Sequence, residues 1–153
     1  MQLTQKETEL LKDLKGQERL CIDKYTAHSQ SAVDPQLKNL FSQIAGVEQN
    51  HFDTLTQIEN GQTPQMNSGG GQQNTTPQFT ANYGMENSND KSNDCYLCSD
   101  ALSTEKHASS LYDTSIFEFS DSNLRDVLNH IQKEEQNHGK MIYDYMNVNS
   151  MYS

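Results

Sequence analysis

The sequence predicts an all-α protein, a four-helix bundle built from two repeated helical hairpins joined by a long crossover linker. Three observations carry that prediction. Four stretches place apolar residues at the three-and-four spacing of an amphipathic helix. A polar segment without periodicity separates the second stretch from the third. The tetrapeptide Glu-Gln-Asn-His occurs twice, as Glu48–His51 and Glu135–His138, and both copies follow a lone glutamate, Glu18 or Glu105, at equal distance.

The first helix is expected over about 4–29, where Thr4 and Glu7 form a capping-box start and Leu11, Leu14, Cys21, Ile22 and Tyr25 share one face. Asp34-Pro35 opens the second, about 34–59, as N-cap and first-turn proline; its stripe is Leu37, Phe41, Ile44, Leu55 and Ile58, and Asn60-Gly61 ends it. From about 60 to 93, Gly, Asn, Gln, Ser and Thr dominate, with Gly69-Gly70-Gly71, so this stretch reads as a flexible crossover. About 35 residues could span over 100 Å at ~3.3 Å each, enough to recross a ~40 Å helix. The third helix, about 94–118, carries Leu97, Ala101, Ala108 and Tyr112. The fourth, about 121–146, starts at Asp121 and carries Leu124, Leu128, Ile131, Met141, Ile142 and Tyr145.

The halves align at an offset of 87 residues. Leu10, Asp13, Glu18, Tyr25, Asp34, Leu37, Ile44 and Glu48 to His51 all meet identical residues, 11 of the 42 positions from 10 to 51. Unrelated sequences would share roughly 6%. A duplicated hairpin follows. At 153 residues the chain is expected to form a single domain spanning 1–153.

A net charge of −10 with few basic clusters argues against nucleic acid or anionic membrane as partner. No apolar run approaches the ~20 residues of a membrane span, and the start lacks a Sec-type signal pattern. Three cysteines make a disulfide framework unexpected.

Six polar residues interrupt the apolar stripes. Glu18 lies four after Leu14 and four before Ile22; Glu48 lies four after Ile44, and His51 four before Leu55. Glu105 is four after Ala101, Glu135 four after Ile131, and His138 four before Ile142. All six are therefore expected to face the interior. Buried carboxylates must protonate, pair or bind a cation, and no lysine or arginine shares these stripes. Two divalent cations would neutralise four glutamates, and Glu and His three apart on a helix can reach one ion. Mixed oxygen and nitrogen donors suit iron or manganese, with zinc a common substitute. A lone Glu-x-x-His is usually a solvated pair; its duplication with two extra inward glutamates points to two metal ions.

Tyr25 and Tyr112 each lie seven residues after a lone glutamate. Core packing with the hydroxyl bonded to a ligand carboxylate is the favoured role, an electron relay the alternative. Glu134 also precedes His138 at helical spacing, but the repeat matches it to Val47, so it is expected to flank the site. Cys95-Tyr-Leu-Cys98 is a lone C-x-x-C expected where the third helix begins; Cys98 matches Leu11 and is read as core. His28, His107 and His130 have no histidine counterpart and are read as ordinary polar positions.

The ligand pattern resembles the ferritin–rubrerythrin superfamily of di-iron carboxylate bundles. That resemblance implies Glu18, Glu48, His51, Glu105, Glu135 and His138 as ligands, with Glu48 and Glu105 or their counterparts bridging. More closely, the chain resembles the spore coat protein F (Coat F) family, through Leu14-Lys-Gly-Gln-Glu-Arg-Leu-Cys-Ile-Asp-Lys-Tyr25, Asp34-Pro-Gln-Leu-Lys-Asn-Leu-Phe41 and the segment from Asp100 to Met146. The family implies a protein made in the mother-cell cytoplasm and carried in the spore coat. The implied chemistry is oxidation of a reduced two-metal centre by O₂ or peroxide, ferroxidase, peroxidase or manganese-catalase in type. Peroxide removal would require an external electron donor. The alternative is a structural coat component whose metal stabilises the bundle. The Tyr143, Tyr145 and Tyr152 end fits a homodimer or coat-protein assembly.

Overall fold

The computed structural model describes residues 2–65 and 77–151. It is all-helical among the described residues, with α1 Gln5–Ser31, α2 Pro35–Glu59, α3 Asn89–Glu118 and α4 Ser122–Val148. α1 packs along α2 and α3 along α4, while α1 also lies against α3. Among the described residues, no helix is long and apolar enough to cross a membrane.

The caps explain most boundaries. Thr4 and Glu7 make the reciprocal capping box, and the carboxylates of Asp34 and Asp121 accept first-turn amides of α2 and α4. α3 corrects the sequence expectation, beginning at Asn89 rather than near Asp94. The Ser88 hydroxyl accepts the Lys91 amide 3.1 Å away, and the buried Lys91 donates to the Gly84 carbonyl at 2.7 Å. Neither bond belongs to an apolar stripe, so periodicity could not reveal the earlier start.

The polar connection also departs from expectation. Its Gly69-Gly70-Gly71 run lies outside the described residues, but residues 77–88 are tied down. Gln36 bonds the Thr80 backbone in both directions, at 2.9 and 3.0 Å. The Asn149 side chain accepts from the amides of Asn82 and Tyr83, and Phe79 meets the Tyr145 ring edge-on at 5.4 Å. Buried Asp94 gathers the amides of Val33 and Asp34 and the Tyr83 hydroxyl, at 2.8 to 2.9 Å. One carboxylate thus joins the α1–α2 turn, the connection and α3.

The core falls into two clusters. One holds Tyr25, Leu37, Phe41, Ile44, Leu97, Cys98, Ile142 and Tyr145. The other holds Leu11, Leu14, Leu55, Ile58, Tyr112, Leu124, Leu128 and Ile131. Alongside these clusters each helix contributes a buried glutamate, Glu18, Glu48, Glu105 or Glu135, and α2 and α4 each add a buried histidine, His51 and His138.

Candidate metal centre

All six residues singled out by the repeat meet in this layer. Glu18, Glu48 and Glu135 are completely buried, and Glu105, His51 and His138 are 3% exposed. Two groups of four have donor atoms within 4.8 Å of one another. The first is Glu18, Glu48, His51 and Glu135; the second is Glu48, Glu105, Glu135 and His138. Glu48 and its counterpart Glu135 belong to both. Glu18 and Glu105 each join one group. The two shared carboxylates sit on α2 and α4, each one helical turn before its histidine.

The histidines turn Nδ1 toward the carboxylates. His51 Nδ1 lies 3.1 Å from Glu135 and 3.6 Å from both Glu18 and Glu48. His138 Nδ1 lies 2.9 Å from Glu48, 3.4 Å from Glu105 and 3.6 Å from Glu135. Burial opposes charge on His51, but Glu134, Glu135, Glu18 and Glu48 outweigh it and raise its pKa well above the usual histidine range. Burial likewise opposes charge on His138, and Glu105, Glu135 and Glu48 more than offset it. Burial raises the Glu105 pKa, helped by the neighbouring Glu135. Glu135 is lowered, because the adjoining Glu105, His138 and His51 side chains overcome its burial. The raised histidine and Glu105 values thus favour added protons beside these clustered carboxylates.

Protons do not satisfy the geometry. Glu18 Oε2, both Glu48 oxygens, Glu105 Oε2, Glu135 Oε2 and His138 Nδ1 are buried without a hydrogen bond. His138 Nδ1 and Glu48 Oε1 are close in distance but out of line for donation. Each such atom costs about 1–3 kcal/mol when buried alone. Six in one layer, all oxygen or imidazole nitrogen, form a donor set that fits two divalent cations.

The tyrosines cross between halves. Tyr25 on α1 donates to Glu105 on α3 at 2.5 Å, and Tyr112 on α3 donates to Glu18 on α1 at 2.5 Å. Burial, then the adjacent carboxylate, keeps both phenols protonated by raising their pKa values. Each hydroxyl occupies one oxygen of its glutamate, leaving the other directed elsewhere.

Glu134 flanks the cluster, as expected, but its reach was not evident from sequence. Its Oε1 lies 3.1 Å from His51 Nε2 and 2.9 Å from His130 Nε2. A carboxylate on the far imidazole nitrogen fixes the tautomer and directs Nδ1 inward. The 130–134–138 spacing on α4 was the available signal; the contact across to α2 was not. His28 is also more than an isolated polar position, bonding Asp100 at 2.8 Å. His107 is exposed.

The cysteines are free. Cys98 is buried in the core, where burial and then Asp94 raise its pKa, as its match to Leu11 implied. Cys95 sits in the second turn of α3 rather than at its start, because the helix begins at Asn89. Tyr145 is buried and donates to Asp34 at 2.7 Å, which removes it from any exposed tyrosine end; Tyr152 lies outside the described residues.

Residues 93–153 match the family model of the Coat F domain. The Coat F segment contains Tyr112, Glu105, Glu135 and His138, and thus one complete copy of the repeated constellation. No curated protein and no solved structure matches the chain.

Proposed function

We propose that the chain is a Coat F-type spore coat protein with a ferritin-like bundle, in which Glu18, Glu48, His51, Glu105, Glu135 and His138 hold two metal ions. The observation that carries this reading is the six orphaned polar atoms in one buried layer, supplied equally by both sequence repeats. The pairing of α1 with α2 and α3 with α4 supports two repeated hairpins in one domain, and the polar segment between them supports the crossover. The Coat F match supports the spore coat as location.

Iron is the first choice of metal, with manganese or zinc as alternatives; a bound iron or manganese pair would supply redox chemistry toward O₂ or peroxide, one electron from each ion, whereas redox-inert zinc would serve only to stabilise the bundle. The protein's own part is positioning. Glu134 accepts the His51 Nε2 proton and directs Nδ1 inward; Tyr25 and Tyr112 hold Glu105 and Glu18 by one oxygen each. The flanking apolar clusters exclude bulk water from both ends of the layer.

Metal analysis of anaerobically purified protein, followed by mixing with peroxide under absorbance detection, tests the reading. Two irons that oxidise rapidly and cycle with a reductant support an oxidoreductase that draws on an external donor. Stoichiometric metal that never cycles supports the structural coat protein, with metal stapling the bundle. Protein that takes up no metal after iron loading sinks the site.

A further inference from the structure

The two halves share their six inward glutamates and histidines, yet their outer faces differ, and one of the differing positions borders a pocket. Gly139 on α4 stands where Phe52 stands on α2, at the same 87-residue offset. The Phe52 ring fills its place: Arg19 lies 4.5 Å and Lys15 5.1 Å from its centroid. On the other face, a pocket of about 510 Å³ opens between α3 and α4, lined by Leu102, Glu105, Lys106, Glu135, Gly139 and Lys140 among others. Leu102 and Lys106 are the counterparts of Lys15 and Arg19, so the position between them that Phe52 fills in the first half carries no side chain in the second, where Tyr143 lines the pocket one turn further along α4.

We infer that this pocket is the route by which small neutral or anionic solutes reach the buried cluster, and that Gly139 holds it open while Phe52 closes the equivalent route. The inference rests on the metal-site reading for its purpose, but not for its geometry. Glu105 and Glu135 form the inner end, each with a buried oxygen lacking a partner. At the mouth, Lys106 makes no ion pair among the described residues, so it favours anions over cations. Lys140 is neutralised by Asp144 at 2.6 Å. Gly139 lies within α4 and has no positive φ that would require glycine. Glycine inside a helix costs about 1 kcal/mol relative to alanine, chiefly in backbone entropy. A Cβ there would meet only Leu102 Cδ2, at an ordinary 3.9 Å. A Cβ can therefore be added at this wall of the pocket without clash.

The test labels metal-free protein with diisopropylcarbodiimide, a small neutral reagent that adds to carboxyl groups, and maps the modified glutamates by mass spectrometry. Wild type is expected to react at Glu105 and Glu135 before Glu18 and Glu48. Gly139→Phe should slow labelling of that pair by about tenfold or more, since a ring packed into the pocket excludes the reagent. Phe52→Gly should extend labelling to Glu18 and Glu48. Gly139→Leu, less bulky, repeats the closure if the phenylalanine variant folds poorly by circular dichroism. Equal labelling of all four glutamates in wild type, or unchanged labelling after filling at Gly139, overturns the route. Metal titration of wild type separates the two ideas: protein that binds no metal but labels in this order retains the route and loses the metal reading.

Discussion

At the scale of single residues, the duplicated motif reveals what faces inward, and the flanking contacts reveal how it is held. Spacing alone identified the six buried residues, because a carboxylate inside an apolar stripe contradicts its neighbours and that contradiction repeats. Glu134 was harder to read. The repeat register separates it from Glu135, but its bond to His51 crosses from α4 to α2, and no spacing within one helix encodes that. Its role predicts a specific outcome. Glu134→Gln keeps the shape but weakens the acceptor on His51 Nε2, so metal affinity should fall about tenfold or more with stoichiometry unchanged. Titration with Co(II), followed by its visible absorption, measures this; an unaltered affinity would show that Glu134 merely caps the surface.

At the scale of elements, the helices were legible wherever apolar periodicity and a capping side chain coincided, as at Thr4, Asp34 and Asp121. They were illegible where the boundary depends on single polar bonds outside any apolar stripe, as at the Ser88 cap and along 77–88. Asp94 is the centre of that hidden bracing. Asp94→Ala would orphan the amides of Val33 and Asp34 and free the Tyr83 hydroxyl, at about 1–3 kcal/mol for each group that stays buried. Urea denaturation should therefore show a large loss of stability, and proteolysis should open the segment before α3 first. The α1–α3 contact makes a pH prediction. Burial pushes the Asp100 pKa upward, but hydrogen bonds from His28 and Lys24 outweigh it and hold it below the usual carboxylate range. A depressed carboxylate pKa stabilises the fold above the unfolded value and loses that contribution as pH falls through the folded value. The difference in Tm between wild type and Asp100→Asn should then be constant at neutral pH and shrink below about pH 4. A difference that grows in acid would mean that the pair does not brace the helices.

At the scale of the whole molecule, each candidate metal group is assembled across the repeat. The first takes three residues from α1 and α2 and Glu135 from α4; the second takes three from α3 and α4 and Glu48 from α2. Tyr25 and Tyr112 cross in the same way. The duplication was legible in sequence, but this exchange of partners was not, because identical halves could equally have built two separate sites. Metal bound in this shared layer would make metal binding and association of the halves one equilibrium. Metal at about 100 times its Kd should stabilise the fold by about 2.7 kcal/mol per site, visible as a higher Tm that a chelator reverses. Sharing also orders the variants. Removing Glu48 or Glu135 takes a ligand from both groups, whereas removing Glu18 or Glu105 takes one from a single group. Glu18→Ala and Glu105→Ala should each retain about one ion per chain and part of the Tm increase, because one four-residue set stays intact. Glu48→Ala and Glu135→Ala should lose both ions and the whole increase. If all four variants instead lost the same amount of metal, the layer would act as one indivisible cluster rather than two groups joined by a common pair.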